Sequence, residues 1–239
     1  MQNRKKIEVG NAGFIEFIDK LGSDLTVVNA ARVSFDKEKE VFEAGDTKLI
    51  RYLANNNHWT PFGHCQVQLR IKMPIFVARQ WFKHTVGFTR NEMSRRYVNS
   101  EPDFFYPEDG LRLAAENVKQ GSSKAISPDS RHYLEKMKNF TAESNQLYLE
   151  MINRGICAEQ ARMILPQNMY TSFIETASLF GYARLYNLRM GSHAQKEITD
   201  YAEAIGQIMQ PLFPESWKAL SKVDLNLPEA NHVISPATS

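Results

Sequence analysis

The sequence predicts an α/β fold of the α+β kind, a few strands and several helices built into one domain. Two segments alternate apolar and polar side chains as half-buried strands do, later segments repeat apolar residues at helical spacing, and neither pattern forms an internal repeat. At 239 residues the chain can bury a sizeable core. Its apolar fraction of 43% and charged fraction of 23% are those of an ordinary globular protein, which excludes disorder. The expected division is one catalytic domain over residues 1–222 and a weakly patterned, loosely ordered tail over 223–239.

Residues 12–20 alternate apolar and polar side chains and are expected to form a short strand. Asp24–Val33 fits a helix or a strand. Leu49, Ile50, Leu53 and Ala54 give Thr47–Asn55 a helical period, which stops at the turn signal Asn55-Asn56-Asn57. Cys65–Met73 is the clearest strand, with Val67, Leu69, Ile71 and Met73 on one face and Gln66, Gln68, Arg70 and Lys72 on the other. Pro74 ends it and suits the first turn of a helix, Ile75–Phe82, that would deliver Arg79 and Lys83 one turn apart on one face. Thr85–Asn91 and residues 118–128 read as loops. Four helices are predicted beyond, over Ser130–Arg154, Ala158–Ile164, Met169–Leu188 and His193–Met209, the last ending before Pro211 and Pro214. Gly191-Ser192 reads as the C-cap of one and the N-cap of the next.

A net charge of +2 is too small for a general nucleic-acid binder, so a discrete anionic ligand is favoured over a polyanion. Cys65 and Cys157 lie far apart with no metal-ligand spacing, which argues against a zinc site or a disulfide framework and for a reducing, cytoplasmic setting. Cys157 is expected to be small and buried. No apolar run is long enough to span a bilayer, and the positive start Met1–Lys6 lacks the apolar segment of a signal peptide. The common phosphate-cradling loops, the Gly-x-Ser-x-Gly elbow and His-Glu-x-x-His are all missing. His58 and His64 have no third ligand nearby, so no metal is expected.

Positive charge concentrates instead in Arg79–Tyr97. Lys72, Arg79, Lys83, His84, Arg90, Arg95 and Arg96 crowd there against one carboxylate, Glu92, with Trp81, Phe82, Phe88 and Tyr97 interleaved. Singly, such cations are usually solvated and such aromatics usually core. Together they suit an anionic ligand carrying a planar ring, and a nucleotide has both properties. Arg162, one turn before Pro166, and Arg189, at the end of an apolar helix, form a second cationic set; a helix-terminal arginine more often satisfies terminal carbonyls.

Arg79–Thr85 with Asn91–Tyr97 resembles the signature of the flavin-dependent thymidylate synthases (the ThyX family), an Arg-His-Arg triplet followed by a serine about two turns on. Val27–Ser34, His58–His64, Glu159–Pro166 and Asn187–Ile198 match the same family in the same order, and the resemblance covers about residues 10–215. It implies a central, mainly antiparallel sheet flanked by helices, and a homotetramer with active sites at subunit interfaces. It also implies FAD and the conversion of dUMP, methylenetetrahydrofolate and NADPH to dTMP, tetrahydrofolate and NADP⁺, without an enzyme cysteine nucleophile. No nucleic-acid or membrane partner is implied.

Carried over by position, Arg79, Gln80, Glu92, Ser94, Arg95, Arg96, Arg162 and Arg189 are expected to hold dUMP. Thr60, Lys83, His84, Thr85, Glu92, Ser178 and Arg184 are expected to contact FAD. Arg189 is the expected catalytic residue, a fixed cation beside N3 of the uracil that makes C5 nucleophilic. Ser94 is expected to position the nucleotide, since nothing beside it in sequence looks like a base. The chain departs from the family pattern at the triplet, which reads Lys83-His84-Thr85. The spacing from His84 to Ser94 is one residue longer, and Ser178-Leu179-Phe180 stands where relatives have Asn-x-Arg. Arg184 is the expected replacement for the lost cation. The alternatives are a related enzyme that methylates or hydroxymethylates dUMP or dCMP at the same ring position, and a nucleotide- or nucleic-acid-binding protein without catalysis.

Overall fold

The computed structural model describes residues 4–98, 100–116 and 121–222. The tail predicted over 223–239 lies outside the described residues. Five strands form one sheet: β1 (Lys6–Val9), β2 (Gly13–Leu21), β3 (Gln66–Pro74), β4 (Phe88–Glu92) and β7 (Tyr170–Ser178). Their order is β1-β2-β3-β7-β4, and every neighbouring pair is antiparallel. A separate hairpin joins β5 (Arg112–Ala114) to β6 (Ser122–Ile126). The helices are α1 (Asp24–Arg32), α2 (Ala44–Asn55), α3 (Thr60–Gly63), α4 (Ile75–Trp81), α5 (Ser130–Asn153), α6 (Ala158–Ala161), α7 (Leu179–Arg189), α8 (Lys196–Leu212) and α9 (Pro214–Leu220).

The alternation of β3 sets the layers. Val67, Leu69, Ile71 and Met73 are fully buried in the core, whereas Gln66, Gln68, Arg70 and Lys72 face away from it. Helix α8 packs across β1 and β2 through a buried stripe that includes Ile198, Tyr201, Ile205 and Met209, and α7 and α9 pack against α8. Helical spacing of those apolar residues makes the stripe, and burial of each large side chain contributes about 1.5–3 kcal/mol.

Several expectations hold closely. Residues 12–20 form β2, Cys65–Met73 forms β3, and helices form over Ile75–Trp81 and Ser130–Asn153. The ambiguous Asp24–Val33 segment is helix α1, and α2 starts three residues before the expected Thr47.

The main correction concerns Met169–Leu188, expected as one long helix. Its first half is strand β7, with Thr171, Phe173, Glu175 and Ala177 turned into the protein and Ile174 turned out. Its period of two is masked because inward positions hold the polar Thr171 and Glu175 while an outward position holds the apolar Ile174. Ser178 ends the strand and caps α7, its Oγ accepting a hydrogen bond from the Gly181 amide at 3.1 Å. The expected loops also shrink, because Phe88–Glu92 is β4 and Ser122–Ile126 is β6. Gly191-Ser192 does not cap α8, which starts at Lys196 after Gln195 and runs through Pro211. Cys157 is exposed at the start of α6, not buried; Cys65 is the buried thiol.

Candidate active site

Two strand ends and two helix ends build the site. β3 runs directly into α4 and β7 directly into α7; the two strands are antiparallel, so the helices start from opposite ends of the pair and their C-terminal ends are joined through Arg189. There Arg189 donates from Nε to Nε2 of His84 at 3.0 Å and from Nη2 to the Gln80 carbonyl at 3.1 Å. The carbonyl of Arg189 in turn accepts from the Thr199 hydroxyl at 2.8 Å, which ties α7 to α8. Burial, then the charges of Arg189, Arg90 and Arg184, push the His84 imidazole down to about 4, so it is neutral and free to accept. Burial also lowers the guanidinium of Arg189 from its ordinary value.

Beside this pair lies a cavity of about 260 Å³ lined by Lys83, His84, Thr85, Arg184 and Arg189, with Phe88 and Gly181 at its wall. No carboxylate is among its lining residues. A Cβ at Gly181 would come within 3.1 Å of the Phe88 ring, tight enough that the ring would have to shift by a few tenths of an ångström. Gly87 opens β4 at φ +79°, a backbone conformation that side chains rarely adopt.

A buried layer supports the pair from beneath. Arg90 sits directly opposite Glu175 in the β4–β7 ladder and donates from Nε to its carboxylate. Its Nη2 reaches the His84 carbonyl at 2.6 Å. Glu175 is fully buried and also accepts from the Trp81 indole at 3.1 and 3.2 Å. Burial raises its carboxyl, and Arg90 opposes that rise. The fully buried Tyr182 hydroxyl faces the same carboxylate without completing a hydrogen bond. Arg90 also lies over the rings of Phe82 and Phe88, 5.2 and 4.7 Å from their centroids.

Gln80 continues the network toward the hairpin. Its Nε2 donates to Gln195 at 2.5 Å, Gln195 donates to Glu197 at 2.8 Å, and Arg112 donates to Glu197 at 2.7 Å. Arg79, on the last turn of α4, is exposed.

Glu92, Ser94, Arg95, Arg96 and Arg162 lie toward the other end of β4, a strand that spans about 13 Å at about 3.3 Å per residue. Glu92 accepts from the Thr171 hydroxyl at 2.6 Å. Ser94 Oγ accepts from the Arg96 amide at 3.3 Å and from its Nε at 3.4 Å. Arg96 pairs with Glu159 at 3.6 Å, which brings the Ser94–Arg96 loop against α6 and the exposed Arg162 that follows it. Arg95 points inward, only 7% exposed, and donates to the Ser100 carbonyl; its buried Nε has no partner among the described residues. Ser178 spends its hydroxyl on the α7 cap, and Thr60 lines a separate cavity with His58 and Trp59. One chain therefore carries two cationic clusters, Gln80–His84–Arg189 and Ser94–Arg96–Arg162, at opposite ends of one strand.

The supporting roles of Arg90, Glu175, Gln195 and Glu197 were not foreseen in sequence. A carboxylate in a nearly uncharged stretch, Glu175 within Met169–Ala183, was the available signal. Among the described residues no group of three or more His, Cys, Asp or Glu side chains could hold a metal ion, and no helix is long and apolar enough to cross a membrane.

A guanidinium fixed by a neutral imidazole in a cationic, carboxylate-free cavity beside an antiparallel sheet has the charge and the hydrogen-bonding groups that suit an anionic ligand. The family model described as "Thymidylate synthase complementing protein" matches residues 16–215. The chain belongs to the flavin-dependent thymidylate synthase family, a family of methyltransferase enzymes. It is 38% identical over 217 residues to the flavin-dependent thymidylate synthase of Thermotoga neapolitana, covering 91% of this chain and 94% of that one. It is 34% identical to the Thermus thermophilus enzyme of the same name, covering 93% and 80%. Among solved structures, the UMP/dUMP methylase PolB from Streptomyces cacaoi, bound with 5-Br dUMP, superposes with a TM-score of 0.80 at 28% identity, covering 90% of this chain and 97% of that one.

Proposed function

We propose that the protein methylates dUMP to dTMP, with methylenetetrahydrofolate as carbon donor, NADPH as reductant and FAD as the flavin. The observation that carries this reading is the Arg189 guanidinium, fixed by His84 and by the Gln80 carbonyl inside a cavity without carboxylates. A cation held there stabilises negative charge developing on a pyrimidine bound with N3 toward it, and that charge makes C5 nucleophilic. Because His84 and the Gln80 carbonyl already fix the guanidinium, little reorganisation accompanies the reaction.

The residues present fit a flavin nucleotide. Lys83, Arg184 and Arg189 supply positive charge, Thr85 a hydroxyl, and His84 a neutral imidazole in the same cavity. When bound, the reduced flavin supplies the hydride that completes the methyl group. Lys83 and Arg184 would favour its anionic portions, the cation missing at Phe180 being offset by Arg184. Glu92, Ser94, Arg96 and Arg162 would hold the nucleotide's sugar and phosphate, with Arg95 bracing their loop from within and Arg79 adding charge from α4.

The two cationic clusters stand at opposite ends of β4, which supports a site completed between subunits of a homotetramer, the Ser94–Arg162 cluster of one facing the Arg189 cluster of another. The protein's setting is the cytoplasm, where its nucleotide substrates are made. The test is incubation with FAD, NADPH, methylenetetrahydrofolate and dUMP under anaerobic conditions, with the nucleotide product identified by mass. Because the Streptomyces cacaoi methylase is described bound with 5-Br UMP as well as 5-Br dUMP, UMP belongs in a parallel incubation, beside dCMP. A product from UMP or dCMP instead of dUMP would contradict the reading.

A further inference from the structure

The turn that leaves α4 supplies both acceptors of Arg189, the Gln80 carbonyl and Nε2 of His84. Helix α4 ends at Trp81, and the turn that follows holds itself together as one piece. The Lys83 amide donates to the Gln80 carbonyl at 3.3 Å and the His84 amide to the Trp81 carbonyl at 3.1 Å. Glu175 ties that piece to the sheet at two points. Trp81 reaches the carboxylate directly, through its indole N–H at 3.1 and 3.2 Å. His84 reaches it through Arg90, whose Nη2 donates to the His84 carbonyl at 2.6 Å and whose Nε donates to the carboxylate.

The anchor sits on the stiffest part of the scaffold. Glu175 is fully buried in mid-sheet, opposite Leu69 on β3 and opposite Arg90 on β4. Neither Glu175 nor Arg90 lines the cavity at Arg189, so each acts there only through other residues. Stability alone does not call for an ion pair in this place. Taking two charges out of water is costly, and apolar side chains of similar volume often match or better a buried pair. What apolar side chains cannot do is hold an indole N–H and a main-chain carbonyl at fixed directions.

We infer that Glu175 is a positioning residue for Arg189. Through Trp81 and Arg90 it sets where the Gln80–His84 turn lies, and the turn sets where the guanidinium points. Carboxylate, Arg90, turn and Arg189 follow one another outward from the sheet, so a shift at the first reaches the last. A displacement of about 1 Å at a reacting group can cost about a hundredfold in rate. The inference deepens the proposed function and rests on its reading of Arg189 as the cation that faces the pyrimidine.

The test compares three full-length variants with the unmodified chain: Arg90→Met combined with Glu175→Leu, Arg90→Lys alone, and Asp46→Ala. Each is followed by thermal melting, by turnover of dUMP to dTMP, and by the NMR signal of the Arg189 Nε–H, which its bond to His84 shields from water. The double variant removes the pair as a unit and keeps the core filled. The lysine variant keeps a charge against Glu175 but has no fork to reach the His84 carbonyl as well. Both should melt within about 5 °C of the unmodified chain. Their kcat should fall, about a hundredfold in the double variant and about tenfold in the lysine variant, with KM for dUMP within about threefold. Both should also lose the Arg189 signal to exchange with water. Asp46→Ala loosens the clamp on α2, away from the site, and should melt lower while keeping kcat and the Arg189 signal. A folded variant of the pair with kcat within about threefold of the unmodified chain, an unchanged Arg189 signal, or equal loss of kcat in Asp46→Ala would each overturn the inference. If the double variant does not fold, the lysine variant decides. A chain that makes no dTMP would contradict the proposed function, and the Arg189 signal alone then decides the inference.

Discussion

Arg189 and His84 meet with the arginine donating and the imidazole accepting, at 3.0 Å, and that direction fixes the charge of the site. A protonated imidazole has no lone pair to offer and would repel the guanidinium. The histidine of the signature is therefore held neutral by its surroundings, and it orients the one cation that faces the proposed pyrimidine position.

That arrangement predicts an unusual titration. Burial, then Arg189, Arg90 and Arg184, depress the imidazole to about 4, against about 6.5 in an unfolded chain, with Lys83 beside it adding the same sign of charge. Between those values the unfolded chain binds a proton that the folded one refuses. His84 therefore contributes stability that is full above about pH 6.5 and is lost as pH falls toward 4. Following the ring protons of His84 by NMR should give a midpoint near 4, and Arg189→Met should raise it. A midpoint near 6.5 in the unmodified protein would contradict the geometry.

The buried Arg90–Glu175 pair should behave as a unit. Removing only the arginine leaves a carboxylate with no exposure to water, so Arg90→Met is expected to cost about 3–5 kcal/mol in urea unfolding. Arg90→Met combined with Glu175→Leu should cost less than the sum of the single changes. Additive costs would show that the two side chains do not depend on each other.

Asp46 makes a second, remote prediction. Burial raises its carboxyl, but hydrogen bonds from Lys39, the Glu43 amide and Arg32 more than offset this and hold it at about 2. Its contribution to stability should be full above about pH 4 and lost as pH falls through 2. Because the pair pins the 36–43 segment onto α2, with Lys39 also bonded through its backbone to Asn29, Asp46→Ala should lower Tm by about 5 °C near neutral pH. An unchanged Tm would remove the clamp.

What could be read in the sequence followed from local pattern. The strict alternation of Cys65–Met73 and the helical spacing of Ser130–Arg154 each fix an element without help from neighbours. The signature around His84 likewise marked the segment that the structure brings against Arg189. Met169–Leu188 could not be read that way, because polar Thr171 and Glu175 stand on inward positions of β7 and apolar Ile174 on an outward one, and α7 follows the strand with no turn signal between them. Arg90 looked like one more surface cation because its partner, Glu175, is 85 residues away in sequence and meets it only through the β4–β7 register. Arg95, expected on the substrate, carries the same charge as Arg96 but is turned inward by its bond to Ser100.

Subunit mixing tests the divided site. Arg189→Ala should lower kcat about 10²–10³-fold, and Arg162→Ala should weaken dUMP binding. If each site draws its clusters from different subunits, mixing the two impaired variants should raise activity above that of either alone. No recovery on mixing, with subunit exchange demonstrated by mass, would place both clusters in one chain's site.

The central claim is that a cation held by a neutral histidine drives methylation at C5 of dUMP, and its most direct measurement is the mass of the product. Anaerobic incubation with FAD, NADPH, methylenetetrahydrofolate and dUMP should yield dTMP from the unmodified chain and at least about a hundredfold less from Arg189→Ala. A hydroxymethylated product, a product only from dCMP or UMP, or dTMP formed equally well without Arg189 would contradict it.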